Sequence, residues 1–325
     1  MWPTPDDTAD ATYVLPLRST APPTSELTEY LRSLARSVEV VVVDGSPPSV
    51  FEDAHRQWTS FAVHVPPDAD IRYRNGKVNG VLTGLRHATH EKVVVADDDV
   101  RYDDAALARV LHLLDRADLV GPQNYFDPRP WHATWDTSRS LVNRALGADF
   151  PGTFGLRRSA LGPAGYDGDV LFENLEMVRT VRARGGRVLM PLDLYVRRLP
   201  PTTAHFVGQR VRQAYDELAR PHRLALALTF GPSLVVATWL RRWSFVAAGL
   251  TLVSVVAECG RRRAGGRRYF PASASLLAPG WAIERSVSSW LACGARLRGG
   301  VRYAGTRLTV AAHARSTIKR AAGRR

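Results

Sequence analysis

The stretch EKVVVADDDVRYDD, Glu91 to Asp104, sets an apolar β-branched run against five carboxylates within eight positions. Val93, Val94, Val95 and Ala96 read as a strand buried on both faces. Asp97, Asp98 and Asp99 at its end repel one another and are costly to hold beside a hydrophobic strand, so something must offset that cost. The i, i+2 spacing puts the side chains of Asp97 and Asp99 on one side of an extended chain end and turns Asp98 the other way. Asp103 and Asp104 predict the start of a helix, where the dipole favours negative charge.

Working outward, VEVVVVDGS (38–46) repeats the pattern and ends its strand at Asp44. TYVLPL (12–17) and FAVHV (61–65) read as two further strands. Helices are predicted from a Ser25 cap through about Arg36, over GKVNGVLTGLRHA (76–88) and over DDAALARVLHLLDRA (103–117), the last feeding the strand DLVGP. This βαβ series implies an α/β fold with a mostly parallel sheet flanked by helices. Ligands in such sheets sit beyond the carboxyl ends of the strands, the edge that Asp44, Asp97 and Asp99 share. A magnesium or manganese ion shared with a diphosphate would offset the acidic repulsion and needs only one or two protein carboxylates. Residues 121–170 turn irregular, with QNYFDPRPWHATW readable as a lid or acceptor wall or as a plain surface connection. FENLEMVRTVRARGG (172–186) then reads as a helix closed by Gly185, followed by the strand RVLMPL and a helix through QRVRQAYDELAR.

Composition bounds the rest. With 325 residues, 45% hydrophobic, the chain is long enough for about two folding units and is not a disordered one. Cys259 and Cys293 make no disulfide framework and lack metal-ligand spacing, so a reducing compartment is the simpler expectation. The opening MWPTPDDTAD has neither a positive n-region nor an apolar h-region, and residues 1–10 are expected to be disordered. The net charge of +13 is uneven: residues 241–325 carry 17 Lys and Arg against Glu258 and Glu284, a net +15. Beyond Pro221, LALALTFGPSLVVATWL (224–240) and WSFVAAGLTLVSVVA (243–257) are free of charge. At 17 and 15 residues they fall short of the roughly 20 of a spanning helix, so a membrane hairpin or a re-entrant pair is expected over 221–260. Residues 261–325 read as basic interfacial helices and tail, the apolar stretch 275–297 being interrupted by Glu284 and Arg285.

The order and spacing of these motifs resemble the family 2 glycosyltransferases of GT-A fold, in particular the membrane-bound branch with the ceramide glucosyltransferases and bacterial lipid glycosyltransferases. The resemblance covers roughly residues 11–220. It implies that Asp44 reads the nucleotide base and that Gly76, Lys77, Gly84 and Ala88 match a "GK" helix. Asp97 and Asp99 match a D-x-D motif, with Asp99 the direct metal ligand. Pro16, Arg18, Asp44, Lys77, Asp97 and Asp98 are thus the donor-side candidates, Arg18 facing the diphosphate where the family has a different strand end. FENLE (172–176) stands where the family has an acidic pair with the catalytic base, but the aligned position is Asn174, so Glu173 is the expected base, with Asp167, Asp169 and Glu176 behind it. Gln209 and Arg212 are the surviving half of a Q-x-x-R-W motif, and Gln213 replaces its aromatic residue. The implied reaction is inverting transfer of a sugar from a nucleotide-diphosphate donor, a UDP-sugar by expectation, with Mg2+ or Mn2+, to a lipid or lipid-linked acceptor. The catalytic domain is expected to face the cytoplasm, with anionic lipid as the partner of the basic tail.

Two other readings compete. A non-catalytic membrane module could retain a nucleotide-sugar fold while lacking the base at Asn174. A nucleic-acid partner for the +15 tail is disfavoured, because its basic residues sit beside apolar helices and form no recognisable binding fold.

Overall fold

A computed structural model describes residues 9–303 and 305–322, and the expectation of disorder over residues 1–10 falls, for 1–8, outside the described residues. The chain divides into two units: Met1–Gly121, Pro151–Leu189 and Ala314–Arg325 form the first, and Pro122–Phe150 and Met190–His313 the second.

In chain order the strands of the first unit are β1 (Ala11–Leu17), β2 (Glu39–Asp44), β3 (Val63–Val65), β4 (Lys92–Ala96), the two-residue β5 (Val100–Arg101) and β6 (Leu119–Val120). After β7 (Gln123–Phe126), which belongs to the second unit, come β8 (Thr153–Arg157) and β9 (Val188–Leu189). Seven of them make one sheet in the order β3-β2-β1-β4-β8-β6-β9. β1 is parallel to β2 and β4, β2 to β3 and β6 to β9, while β8 runs antiparallel to both its neighbours. Val40–Val43 and Val93–Val95 are all at most 4% exposed, as a valine run sandwiched between helix layers requires.

The helices around this sheet are fixed at their starts by short polar side chains. The first, α1 (Ser25–Leu34), is capped by Thr24, whose hydroxyl accepts from Leu27 N. Thr24 keeps an extended backbone while Ser25 is already helical, which moves the cap one residue upstream of the expected Ser25. The second, α2 (Pro48–Trp58), begins on a proline with its φ already suited to a helix. Asn75 caps α3 (Gly76–His87), and Asp103 caps α4 (Asp104–Leu113) by accepting from Ala106 N at 2.7 Å. Two glycines four residues apart let α3 lie close on β1: a Cβ on Gly84 would stand 2.2 Å from Val14 Cγ1, and one on Gly80 2.9 Å from Pro16 Cβ.

The second unit holds β7 paired in parallel with β10 (Tyr195–Arg198) and the helix α5 (Trp131–Leu146). In the first unit α6 (Glu173–Ala183) ends before Gly185, whose φ of +90° suits only glycine comfortably. The second unit continues with α7 (Thr203–Gly208), α8 (Arg210–Tyr215), α9 (Pro221–Trp239), α10 (Trp243–Arg262), α11 (Ala272–Leu297) and the hairpin of β11 (Val301–Tyr303) with β12 (Thr306–Leu308). The last helix, α12 (Arg315–Ala322), belongs to the first unit. Part of the stretch read as irregular is therefore the 16-residue α5. Its buried face carries His132, Asp136, Thr137, Ser138, Ser140, Asn143 and Arg144, so the apolar periodicity that announces a helix is missing. The segment Trp243–Arg268 is, among the described residues, long and apolar enough to cross a membrane by length and composition.

Candidate active site

Because β1, β2 and β4 are parallel, their carboxyl ends meet at one edge, and the register sets Leu17 beside Asp44. Asp44 is 1% exposed. Its Oδ1 accepts from Ser46 N at 2.8 Å, and its Oδ2 lies 3.3 Å from His64 Nε2. Burial alone would raise its pKa, but the His64 and Ser46 hydrogen bonds hold the carboxyl below the ordinary range. His64 is itself seated by Phe51, stacked at 4.4 Å, and by the edge of Trp58 at 5.3 Å. Ser46 Oγ in turn accepts from Ser19 N at 2.8 Å. Asp44 thus organises the loops that leave β2 and β1, and His64, a polar residue within the apolar strand FAVHV, is the partner that reading the sequence missed.

Asp97 to Asp99 form a tight turn between β4 and β5, closed by Val100 N donating to Asp97 O at 3.1 Å. The chain therefore bends where an extended end was expected, yet the alternation survives: Asp97 and Asp99 are half-buried and Asp98 is exposed. Asp97 N donates to Gly152 O at 2.8 Å, which ties the turn to the approach of β8. Arg101 grips Glu26 with two bonds of 2.7 and 2.6 Å and donates to Asp98 O at 2.6 Å.

At this edge Lys77 joins two distant parts of the sequence. Its Nζ lies 2.5 Å from Asp97 Oδ1 and 2.8 Å from Glu173 Oε1. Desolvation opposes the charge, but the two carboxylates outweigh it and push the Lys77 pKa well above the ordinary lysine value. The ammonium is set in place by the start of α3, where Asn75 Oδ1 accepts from Lys77 N. Asn75 N and Nδ2 donate to Gly168 O and Val170 O, so the starts of α3 and α6 are joined through one buried asparagine. Glu173, 9% exposed, opens α6. Asn174 Nδ2 donates to Pro151 O at 3.2 Å, and an amide so used offers no base. Asp167 and Asp169 shape the preceding loop by accepting from Asp169 N and Arg74 N, and Glu176 is 1% exposed.

Pro16 is half-buried under α3 and Arg18 is exposed at the end of β1. Gln209 and Arg212 lie in the second unit, where Arg212 Nη2 donates to Gln209 Oε1 at 3.2 Å and the guanidinium sits 5.1 Å over the Tyr303 ring. Gln213 accepts from Arg210. No group of three or more His, Cys, Asp or Glu among the described residues is arranged to hold a metal by itself. The half-buried pair Asp97 and Asp99 offers hard oxygens from a single turn, which fits a magnesium or manganese ion that takes its other ligands from a diphosphate and water.

Residues 24–165 match the family model of glycosyl transferase family 2. No curated protein matches the chain. Among solved structures, the mannosyltransferase PcManGT from Pyrobaculum calidifontis, in complex with GDP-Man and Mn2+, is similar over 89% of this chain and 89% of that one, at a TM-score of 0.50 and 20% identity. Mannosyl-3-phosphoglycerate synthase from Rubrobacter xylanophilus is similar over 61% of this chain and 69% of that one, at a TM-score of 0.43 and 14% identity. The likeness to the first is one of fold: this is a mixed α/β architecture of GT-A type with a central, mostly parallel sheet.

Proposed function

We propose that this chain, whose residues 24–165 match glycosyl transferase family 2, is an inverting glycosyltransferase that moves a sugar from a nucleoside-diphosphate donor to a lipid or lipid-linked acceptor at the cytoplasmic face of a membrane. The observation that carries the reading is Lys77 held between Asp97 and Glu173 at the carboxyl edge of the parallel strands. That arrangement keeps one cation and two carboxylates within hydrogen-bond distance where ligands of such sheets bind. Asp97 and Asp99 would hold the cation, whose chemistry is to stabilise the departing diphosphate. Lys77 stays protonated and supplies a second positive charge on the donor side, Arg18 at the end of β1 a third, and the exposed Asp98 completes the donor-side set. Pro16 and the loop organised by Asp44 line the base end. Glu173 takes the acceptor hydroxyl proton, Lys77 orienting its carboxylate; in the second unit the planar fork of Arg212, paired with Gln209, is of a kind suited to phosphate oxygens. The exposed apolar residues of α9, α10 and α11 support a lipid surface as the place of reaction.

The test uses the full chain in neutral detergent with Mn2+ and a panel of UDP- and GDP-sugars. One donor should raise the melting temperature, and Asp99→Ala should remove that rise. Glu173→Gln should keep donor binding and lose transfer by about a hundredfold or more. Full transfer by Asp99→Ala would overturn the reading. Donor binding with no transfer to any lipid pool by the unaltered chain would favour the non-catalytic module, which the engaged amide of Asn174 also suits.

A further inference from the structure

The carboxylate at the end of β2 is closed to a ligand. The Asp44 side chain is 0% exposed, and both of its oxygens are in use. Oδ1 accepts from Ser46 N at 2.8 Å, and Oδ2 faces His64 Nε2 at 3.3 Å. An ionised carboxyl only accepts, so Nε2 of His64 carries the hydrogen and its Nδ1 the lone pair. That lone pair meets His55 Nδ1 at 3.1 Å, which makes His55 the donor in the next link. Phe51 stacks on both rings, at 4.4 Å from His64 and 5.6 Å from His55, and Trp58 stands perpendicular to His64 at 5.3 Å. Asp44, His64 and His55 thus form one line of hydrogen bonds from the turn after β2 to α2.

What this line holds is the backbone of the sheet edge. Gly45 N donates to Leu17 O at 2.9 Å, and Ser46 Oγ accepts from Ser19 N at 2.8 Å, so the turn that Asp44 folds joins the ends of β1 and β2. Ser19 gives its own hydroxyl proton to Ala21 O. Ser46 differs: its oxygen accepts, and its proton has no acceptor among the described residues. Ser46 is half-buried and Gly45 beside it is exposed. A hydroxyl donor is therefore left open at this edge, two residues beyond a carboxylate that is not.

We propose, on the reading that the Lys77 edge takes a nucleoside-diphosphate donor, that Ser46 selects the nucleobase by donating to a ring carbonyl oxygen, and that Asp44 and His64 are positioning residues that hold it there. Uracil and guanine carry a carbonyl on the pairing edge where cytosine and adenine carry an amino group, so a hydroxyl with its proton to give favours the first two. The Asp44 carboxylate would make the same choice if it touched the base, by accepting from the ring N–H of uracil or guanine. Its burial assigns the choice to Ser46.

Calorimetric titration of the full chain in neutral detergent, with Mn2+ and with UDP, GDP, CDP and ADP, separates the two residues. UDP should bind at least about tenfold more tightly than CDP, or GDP than ADP. Ser46→Ala should remove most of that preference. Asp44→Asn should keep it within about twofold while weakening all binding alike. The isosteric change has a way to stay folded: the amide donates to His64 Nε2, and His64 then donates from Nδ1 to His55 Nδ1, an inversion of both tautomers. His64→Leu strands the buried carboxylate and should weaken every ligand that binds by the same factor of about ten, whereas His64→Gln, with an amide N–H, should recover most of the loss. A preference absent from the unaltered chain, lost in Asp44→Asn or kept in Ser46→Ala overturns the proposal and leaves the donor site standing. Failure of the unaltered chain to bind any of the four overturns the donor reading and the proposal together.

Discussion

Lys77 shows how a single side chain can hold an acidic edge together. Asp97 is 20 residues away in sequence and Glu173 is 96, and each carboxylate would face the other's charge without the ammonium between them. Lys77→Met should therefore cost about 2 kcal/mol, the scale of a charge-assisted hydrogen bond in a partly buried setting. The sign of its pH dependence follows from the raised pKa. Stability contributed by Lys77 is fully present below the unfolded lysine value and is lost only as pH rises through the higher folded one. The stability gap between the two proteins should stay level from neutral pH to about 10 and close above it, as urea titrations at several pH values would show. A gap already closed by pH 9 would mean that the ammonium is not held by this pair. Lysine in "GK" and acid in DDD were both legible as chemistry. That one bridges to Glu173 was not, because the contact depends on Asn75 joining two helix starts from opposite ends of the unit's sequence.

At the scale of elements, legibility follows the composition of the buried face. Strands β1, β2 and β4 announce themselves because β-branched runs with no polar interruption have few alternatives. Helix α5 does not, because its inner face exchanges hydrophobic contact for hydrogen bonds. Arg144 alone donates to Gln123 at 3.1 Å, Leu192 O at 3.1 Å, Tyr195 Oη at 2.7 Å and Arg263 O at 2.9 Å. Such a helix depends on close backbone approach, which Gly260 of α10 provides. A Cβ there would stand 1.9 Å from Leu141 O and 2.9 Å from Ala145 N, both backbone atoms of α5 that cannot rotate aside. Gly260→Ala should thus force the two helices apart and cost about 1–3 kcal/mol despite alanine's better helix propensity. Gly249→Ala on the same helix meets only Leu234 Cδ2 at 3.5 Å, and should be neutral or stabilising by up to about 1 kcal/mol. Thermal melts of the pair separate packing from propensity; equal melting temperatures would deny the close approach.

The molecule as a whole separates its charge from its acid chemistry. Residues 1–240 carry a net −2 and hold the acidic edge, whereas residues 241–325 carry +15 around helices that expose large apolar side chains. Trp239 is 81% exposed and Trp243 61%, on either side of the Arg241–Arg242 turn between α9 and α10, and Leu297 at the end of α11 is 90% exposed. Indoles beside arginines are the composition of a membrane–water interface, and a basic surface adds attraction for anionic headgroups. The full chain should float with phosphatidylcholine vesicles and bind more tightly when a third of the lipid is phosphatidylglycerol. Raising the salt to about 0.5 M should remove that difference while leaving the apolar part of the binding, because screening acts on the charges alone. Trp243→Asp should weaken binding to either vesicle by about tenfold, the equivalent of roughly 1.5 kcal/mol of lost apolar burial, without altering donor binding at the sheet edge. A chain that stays monodisperse in buffer without detergent and sediments apart from both vesicles would instead assign the exposed face of α9 to α11 to a protein partner.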